Sequence, residues 1–268
     1  KVAEPTLETL GEVDSREFFD TLGKLSKLTD PNAEMYPQFS AVVLKLNNEE
    51  KNASLLATDR FVLGEIDISF SPNDEDDDLT FDFDNVVLLP SDAATSVNEA
   101  KSDAFPTKLV YEDTSKKLGY QFADGRVAVF ALVEATPLKT QKLKDSALEN
   151  LTNSVVVSTK DWRNAIQSIT NLAWNEDDTF FEVSSKGFWV RDESSSNKLE
   201  VSCLSNDVSE DGTICFARAV ITKTFAPLTA PSVRIRWSET NKAIVFEPVL
   251  DDEKTDESVF LLGMPRNQ

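Results

Sequence analysis

The stretch NSVVVSTKDWRNAIQSITNL, residues 153–172, joins a strand-like apolar run to a segment with helical periodicity. Its three consecutive valines favour a β-strand. A helix is predicted to follow, with Thr159 as its N-cap. Within that helix Trp162, Ile166 and Ile169 share one face, which is the pattern of a helix buried on one side. The stretch therefore predicts a strand that leads directly into an amphipathic helix.

The same strand-to-helix pattern occurs four times along the chain, at residues 9–28, 85–103, 153–172 and 212–228. In the first copy the helix is predicted to begin at an N-cap, Ser15. Each copy is followed by three short alternating runs separated by polar turn residues, which is typical of antiparallel strands. The repeating unit is therefore βαβββ. The four copies sort into two pairs, which predicts an α+β fold of two domains, each a duplicated unit.

The domain boundaries are predicted from composition. The lysine-rich polar stretch at 136–154 is interpreted as the interdomain linker, and the acidic run NDEDDD at 73–78 as a solvated loop. That run lacks the glycine and the glutamate offset of a calcium loop. The predicted parts are a first domain at 1–135, with half-domains at about 1–72 and 79–135, and a second at 155–268, with half-domains at about 155–206 and 213–268.

The composition argues against most enzyme classes. The 268 residues include no histidine, which removes the commonest general base and the commonest transition-metal ligand. We therefore expect no catalytic site, no metal and no other cofactor. The cysteines, Cys203 and Cys215, are interpreted as free thiols, with a disulfide as the alternative. No apolar run is long enough to span a bilayer, so no membrane association is expected.

The formal net charge of −20 disfavours nucleic acid unless the cations gather on one face. The predicted helices supply such a face, because the third carries only one acid and the fourth carries none. Lysines and arginines that touch phosphates without reading bases would bind DNA regardless of sequence. Ordinary solubilisation of helices is the alternative. The predicted DNA-facing residues are Arg16, Lys24, Lys27, Lys101, Lys160, Arg163, Arg218 and Lys223.

Several stretches resemble the DNA sliding clamps, which use a duplicated βαβββ unit. LLATDRFVLGEI, residues 55–66, resembles the LxATDxxRLA stretch of the bacterial DNA polymerase III beta clamp. SVFLLGMPRNQ, residues 258–268, resembles the apolar-Met-Pro-Arg tail of that family. Residues 216–237 and 243–249 are similar to the last half-domain of PCNA, the eukaryotic and archaeal clamp. The resemblance covers the chain and implies a DNA-clamp fold, with helices lining the inside of a ring and sheets outside.

The resemblance also implies an assembly and a function. The bacterial clamp has three such domains and closes as a dimer, whereas this chain has two, so a six-domain ring needs a homotrimer. The interface would join residues 126–135 of one subunit to residues 198–204 of the next. The ring would encircle duplex DNA as a processivity factor for a DNA polymerase. A two-domain clamp with bacterial-type motifs suits a phage-encoded protein of the bacterial cytoplasm. A truncated three-domain clamp is the alternative.

The family's second site is a hydrophobic pocket for short peptides of the polymerase and the clamp loader. The matching positions here are Phe39, Thr58, Arg60, Phe61, Val62, Leu63, Pro137, Leu138, Leu262, Met264 and Pro265. The family places Gly-His where this chain has Arg60-Phe61, and its arginine falls at Val62, so the polar contacts of the pocket differ. Sheet core is the alternative for Val62 and Leu63.

Two other classes of function remain open. A metal-dependent nuclease would use Asp59 with acids such as Asp82 and Asp84. An acidic protein-binding scaffold would never enclose DNA.

Overall fold

The computed structural model describes residues 7–47, 49–73, 86–90, 93, 107–112, 117–238, 243–251 and 254–266. The chain divides into two compact units. Unit 1 contains Lys1–Asp59 and Glu65–Leu138, and unit 2 contains Arg60–Gly64 and Lys139–Gln268. The boundary after Leu138 falls inside the segment predicted as the linker. That segment is not simply a polar connector, because it forms helix α2 in unit 2.

The described residues of unit 1 form antiparallel strands and one long helix. The path β4-β1-β6-β7-β8 forms one part of its sheet, and β2 pairs with β3 and β5. Its elements are β1 (Glu8–Val13), α1 (Ser15–Leu25), β2 (Ala41–Asn47), β3 (Asn52–Thr58), β4 (Val62–Pro72), β5 (Val86–Pro90), β6 (Thr107–Glu112), β7 (Lys117–Gln121) and β8 (Val127–Ala131). The first three residues of β4 belong to unit 2. The second predicted helix, including Lys101, lies outside the described residues except for Ala93.

Unit 2 contains two described sheets. One has the order β13-β9-β15-β16-β17 and the other has the order β12-β11-β10-β14. The elements are α2 (Gln141–Leu148), β9 (Asn153–Ser158), α3 (Thr159–Leu172), β10 (Asp178–Ser184), β11 (Gly187–Arg191), β12 (Lys198–Val201), β13 (Cys203–Asp207), β14 (Gly212–Ala217), α4 (Arg218–Lys223), β15 (Ser232–Trp237), β16 (Ile244–Val249) and β17 (Val259–Gly263).

The described elements confirm the predicted fold class and the repeat. Strand β1, helix α1 and strands β2 to β4 form one unit of the repeat, and β14, α4 and β15 to β17 form another. The third copy begins with β9 and α3 and continues into β10, β11 and β12, with β13 as a further short strand. A short helix after an apolar strand therefore recurs where the sequence pattern places it.

The apolar face of α3 forms the centre of the unit 2 core. Trp162 is fully buried, and its ring stacks on Phe246 at 5.5 Å between centroids. It also meets Phe225 edge-on at 5.3 Å and Phe181 at 6.1 Å. Offset and edge-on aromatic pairs of this kind add to the stabilisation from buried area. The predicted inward face of this helix is confirmed.

The N-caps lie one residue earlier than predicted. The Ser158 side chain accepts a hydrogen bond from the Asp161 amide at 3.3 Å, so Thr159 is already helical. In α1 the Asp14 carboxylate accepts from the Glu17 amide at 2.8 Å, and Ser15 instead hydrogen-bonds to Thr107. Each helix start has two adjacent residues that can cap, and the packing of the second one inward decides between them.

Candidate functional site

The ATD stretch forms a tight turn, as the pattern of the two flanking strands predicts. Strand β3 ends at Thr58 and β4 begins at Val62. Arg60 adopts a φ of 83°, in the left-handed region. Its guanidinium carbon lies 5.9 Å from the centroid of the Phe61 ring, and Phe61 is 52% exposed. The turn therefore presents an aromatic side chain at the surface.

The C-terminal tail is hydrogen-bonded to this turn inside unit 2. The Met264 amide donates to the Phe61 carbonyl at 2.7 Å. Met264 and Pro265 are half-buried. The structure thus brings the tail and the turn together, as the predicted pocket requires. Their role in binding a partner stays a prediction.

The apolar floor of the predicted pocket is a filled core. Leu63 and Leu262 are buried, and they cluster with Ala243, Val245 and Ala147 of helix α2. Leu151, Phe260 and Met264 pack against the same cluster. Val62 is also buried, so the sheet-core alternative describes Val62 and Leu63. Among the pocket residues predicted in unit 2, the apolar side chains that stay accessible are those of Phe61, Met264 and Pro265.

Arg266 holds the end of the tail in place, and it was not among the residues predicted for either site. Its amide donates to the Cys215 carbonyl at 2.8 Å, and its Nη1 lies 2.6 Å from Asp178 Oδ1. Burial, together with the Asp178 carboxylate, raises the pKa of the Cys215 thiol to about 11. Both cysteines are free, as predicted. The arginine of the tail was visible in the sequence, but its partner Asp178 could not be identified from spacing.

The remaining predicted pocket residues belong to unit 1. Phe39 is half-buried at the end of a 3-10 turn, and its ring lies 6.1 Å from that of Tyr36. Thr58 is buried at the end of β3. Pro137 and Leu138 are half-buried at the end of the unit.

The predicted DNA-facing cations fall into two groups. In the first group, Arg16, Lys27 and Lys160 are exposed, and Lys24 and Lys223 are half-buried. These five side chains lie on α1, on the 3-10 turn after it, on α3 and on α4. Contact between this group and DNA stays a prediction.

Arg163 and Arg218 form the second group, and the guanidinium groups of both are held by hydrogen bonds to backbone carbonyls. Contact between these two arginines and DNA also stays a prediction. Arg163 Nη2 donates to the carbonyls of Phe225 and Leu228, and its guanidinium lies 5.4 Å from the Phe225 centroid. Burial lowers the pKa of this guanidinium. Arg218 Nη1 donates to the Ala173 carbonyl at 3.1 Å. Arg163 therefore joins α3 to the segment that follows α4, and Arg218 joins α4 to the residue that follows α3.

The nuclease alternative gains no support from the geometry. Asp59 is buried at 7% exposure, and Asp82 and Asp84 lie outside the described residues. Within the described ranges there is no group of three or more His, Cys, Asp or Glu side chains that could hold a metal ion. No helix in the described part of the chain is both long and apolar enough to cross a bilayer.

Comparison with known proteins identifies the fold. No family model matches the sequence, and no curated protein matches it. Solved structures do match, over 100% of this chain. The beta subunit of the DNA polymerase of Streptococcus pyogenes has a TM-score of 0.74 at 16% identity, with 67% of that chain covered. The DNA polymerase sliding clamp of Pseudomonas aeruginosa has a TM-score of 0.78 at 12% identity, with 69% covered.

This chain therefore has the fold of the DNA polymerase sliding clamps over its whole length. A third matching structure is the Helicobacter pylori beta clamp bound to a DNA ligase peptide, with a TM-score of 0.74 at 12% identity. The chain covers 68% of that clamp, so it spans about two thirds of the length of the structures it matches.

Proposed function

We propose that this protein is a sliding clamp, a non-enzymatic accessory protein that encircles duplex DNA and tethers a DNA polymerase. The observation that carries the proposal is the agreement of the whole chain with sliding-clamp structures, at TM-scores of 0.74 to 0.78. The cations on α1, α3 and α4 support it, because they give an acidic protein helices able to meet phosphates. Its setting would be the bacterial cytoplasm, with a phage genome as a suitable source.

The proposed assembly is a homotrimer. The chain spans about two thirds of a bacterial clamp, so three copies would supply the domains of two such clamps. Two edge strands support this assembly. Among the described strands β8 pairs only with β7 and β13 only with β9, and Val129 on β8 is 45% exposed while Leu204 on β13 is 66% exposed. Apolar edge strands invite pairing with another chain.

The solution mass is expected to equal three copies of the 29.8 kDa chain at micromolar concentration. Light scattering after gel filtration measures it. A dimer would instead favour the truncated three-domain clamp, and a monomer would favour the acidic scaffold.

The proposed partner site lies at the turn and tail of unit 2. The Helicobacter pylori clamp that this chain resembles carries a DNA ligase peptide. Here Phe61, Met264 and Pro265 offer apolar surface beside backbone that is held in place by the Met264–Phe61 hydrogen bond. Short apolar motifs of a polymerase and of a clamp loader are the proposed ligands.

Replacing Phe61 by alanine is expected to weaken peptide binding about tenfold, because exposed aromatic anchors carry much of the energy of such contacts. Fluorescence anisotropy with a labelled polymerase-tail peptide measures the affinity. Stability should change by less than about 0.5 kcal/mol, since the side chain is exposed. Trp174→Ala is the matched control, because Trp174 is 82% exposed and lies just after α3. Equal losses from the two variants would argue against a specific site at Phe61.

A further inference from the structure

The tail of unit 2 is attached by its backbone at two places, one on each side of Pro265. The Met264 amide donates to the Phe61 carbonyl at 2.7 Å, and the Arg266 amide donates to the Cys215 carbonyl of β14 at 2.8 Å. Pro265 has no amide hydrogen, so it cannot add a bond of this kind. The position of the tail therefore depends on the residues on either side of the proline.

The side chain of Arg266 forms a third attachment. Its Nη1 lies 2.6 Å from Oδ1 of Asp178 on β10, the strand that pairs with β14. The Asp178 side chain is 21% exposed, whereas that of Arg266 is 52% exposed. The Cys215 thiol faces the same carboxylate. The acid of this ion pair thus belongs to the sheet, and the base belongs to the tail.

This attachment lies next to the apolar residues of the proposed partner site. Met264 is two residues from Arg266, at most about 7 Å along an extended chain. Met264 and Pro265 are half-buried, so each offers only part of its side chain to a ligand. Chain ends fray unless they are tied down. A tail released at Arg266 would therefore take up several positions, and only some of them would keep Met264 and Pro265 beside Phe61.

We propose that Arg266 and Asp178 are positioning residues of the partner site, which hold Met264 and Pro265 in the arrangement that an apolar peptide binds. The inference rests on the proposed partner site at Phe61 and the tail. A protein whose binding arrangement is only partly populated binds with an affinity reduced by that fraction. The ion pair thus raises the affinity for the peptide without contacting it. Direct contact between Arg266 and the peptide is the alternative.

The test measures the association and dissociation rates of a labelled peptide on the full-length chain by stopped-flow fluorescence. The probe has the sequence of the DNA ligase peptide that the Helicobacter pylori clamp carries. Arg266→Ala and Asp178→Ala are each expected to slow association about threefold and to leave dissociation unchanged, because they lower only the population of the binding arrangement. Loss of a direct contact would appear mainly as faster dissociation.

A double variant and two further variants complete the set. Arg266→Ala combined with Asp178→Ala should bind no more slowly than either single variant, because each change removes the same ion pair. Arg266→Lys should associate at close to the wild-type rate, since lysine keeps the charge. Glu182→Ala is the matched control, because this acid also lies on β10 but pairs with Arg191 and Lys198. Urea unfolding of every variant checks that the fold is retained.

Hydrogen exchange at the Met264 amide reports on the tail without any peptide. In Arg266→Ala and in Asp178→Ala it should be about threefold faster than in the wild type, because the hydrogen bond to the Phe61 carbonyl opens more often. The Glu182→Ala protein should exchange at the wild-type rate.

Slower association that does not deepen in the double variant, together with faster exchange at Met264, supports the proposal. Unchanged association and exchange would refute it, as would equal slowing in Glu182→Ala. Faster dissociation, or losses that multiply in the double variant, would make Arg266 a direct peptide contact and also refute it. If the wild-type protein binds no peptide, the proposed partner site fails, and exchange at Met264 alone decides whether Arg266 and Asp178 position the tail.

Discussion

Replacing Arg163 by alanine is expected to lower the free energy of unfolding of unit 2 by about 3 kcal/mol, because hydrogen bonds from a charged donor contribute more than neutral ones. The truncation leaves the Phe225 and Leu228 carbonyls without their donor and removes the guanidinium from the Phe225 ring. These contacts hold the chain after α4 against α3. The effect should therefore be one of stability first, with any loss of DNA binding following from it.

Urea unfolding followed by tryptophan fluorescence measures this change in unit 2. The chain has four tryptophans, Trp162, Trp174, Trp189 and Trp237, and all of them belong to unit 2. Lys160→Ala is the matched control, since this exposed cation on the same helix should shift stability by less than about 0.5 kcal/mol. Arg163→Lys should be intermediate, because the ammonium keeps a charged donor but lacks the planar group that lies against the Phe225 ring. An Arg163→Ala protein as stable as wild type, with weakened DNA binding, would mean that Arg163 serves DNA binding and not the fold.

Replacing Leu262 by alanine is expected to cost about 3 kcal/mol of stability in unit 2. Leu262 is 1% exposed and packs in one cluster with Leu63, Val245 and Ala147. Large-to-small changes in such a core lose both the buried surface and the contacts around the cavity that remains. Leu262 was predicted to line the peptide pocket, and its replacement is therefore expected to affect peptide binding only by destabilising the core of unit 2.

The same urea experiment, run beside peptide anisotropy, checks this expectation. Leu143→Ala is the matched control, because Leu143 lies on α2 but is 42% exposed, and its loss should change stability by less than about 0.5 kcal/mol. Unchanged stability with abolished peptide binding for Leu262→Ala would mean that this leucine is an open pocket wall, contrary to the packing.

The alternation and helical periodicity of the sequence were enough to predict the fold class and the repeat. The face of α3 that carries Trp162 and Ile166 was predictable because burial repeats with the period of the helix. The N-caps were displaced by one residue because Asp14-Ser15 and Ser158-Thr159 each contain two capping side chains. Sequence could not choose between them, since the choice depends on which one packs inward.

The roles of individual polar residues could not be predicted in the same way. Arg163 lies on the polar face of its helix, yet its partners are carbonyls 62 and 65 positions along the chain. The partner of Arg266 is Asp178, far away in sequence on β10. Helix α2 was missed because its eight residues carry a weak pattern and are held by packing of Ala147. Such pairings follow from tertiary structure and leave no local signature.

Retention on circular DNA tests the central claim most directly. The protein is mixed with nicked circular plasmid at concentrations where subunits exchange, unbound protein is removed by gel filtration in high salt, and half of the sample is then linearised. High salt weakens ordinary backbone contacts but not topological linkage. We predict that the protein stays with the circle and is lost once the DNA has ends. Equal retention on circular and linear DNA, or equal loss from both, would contradict encirclement.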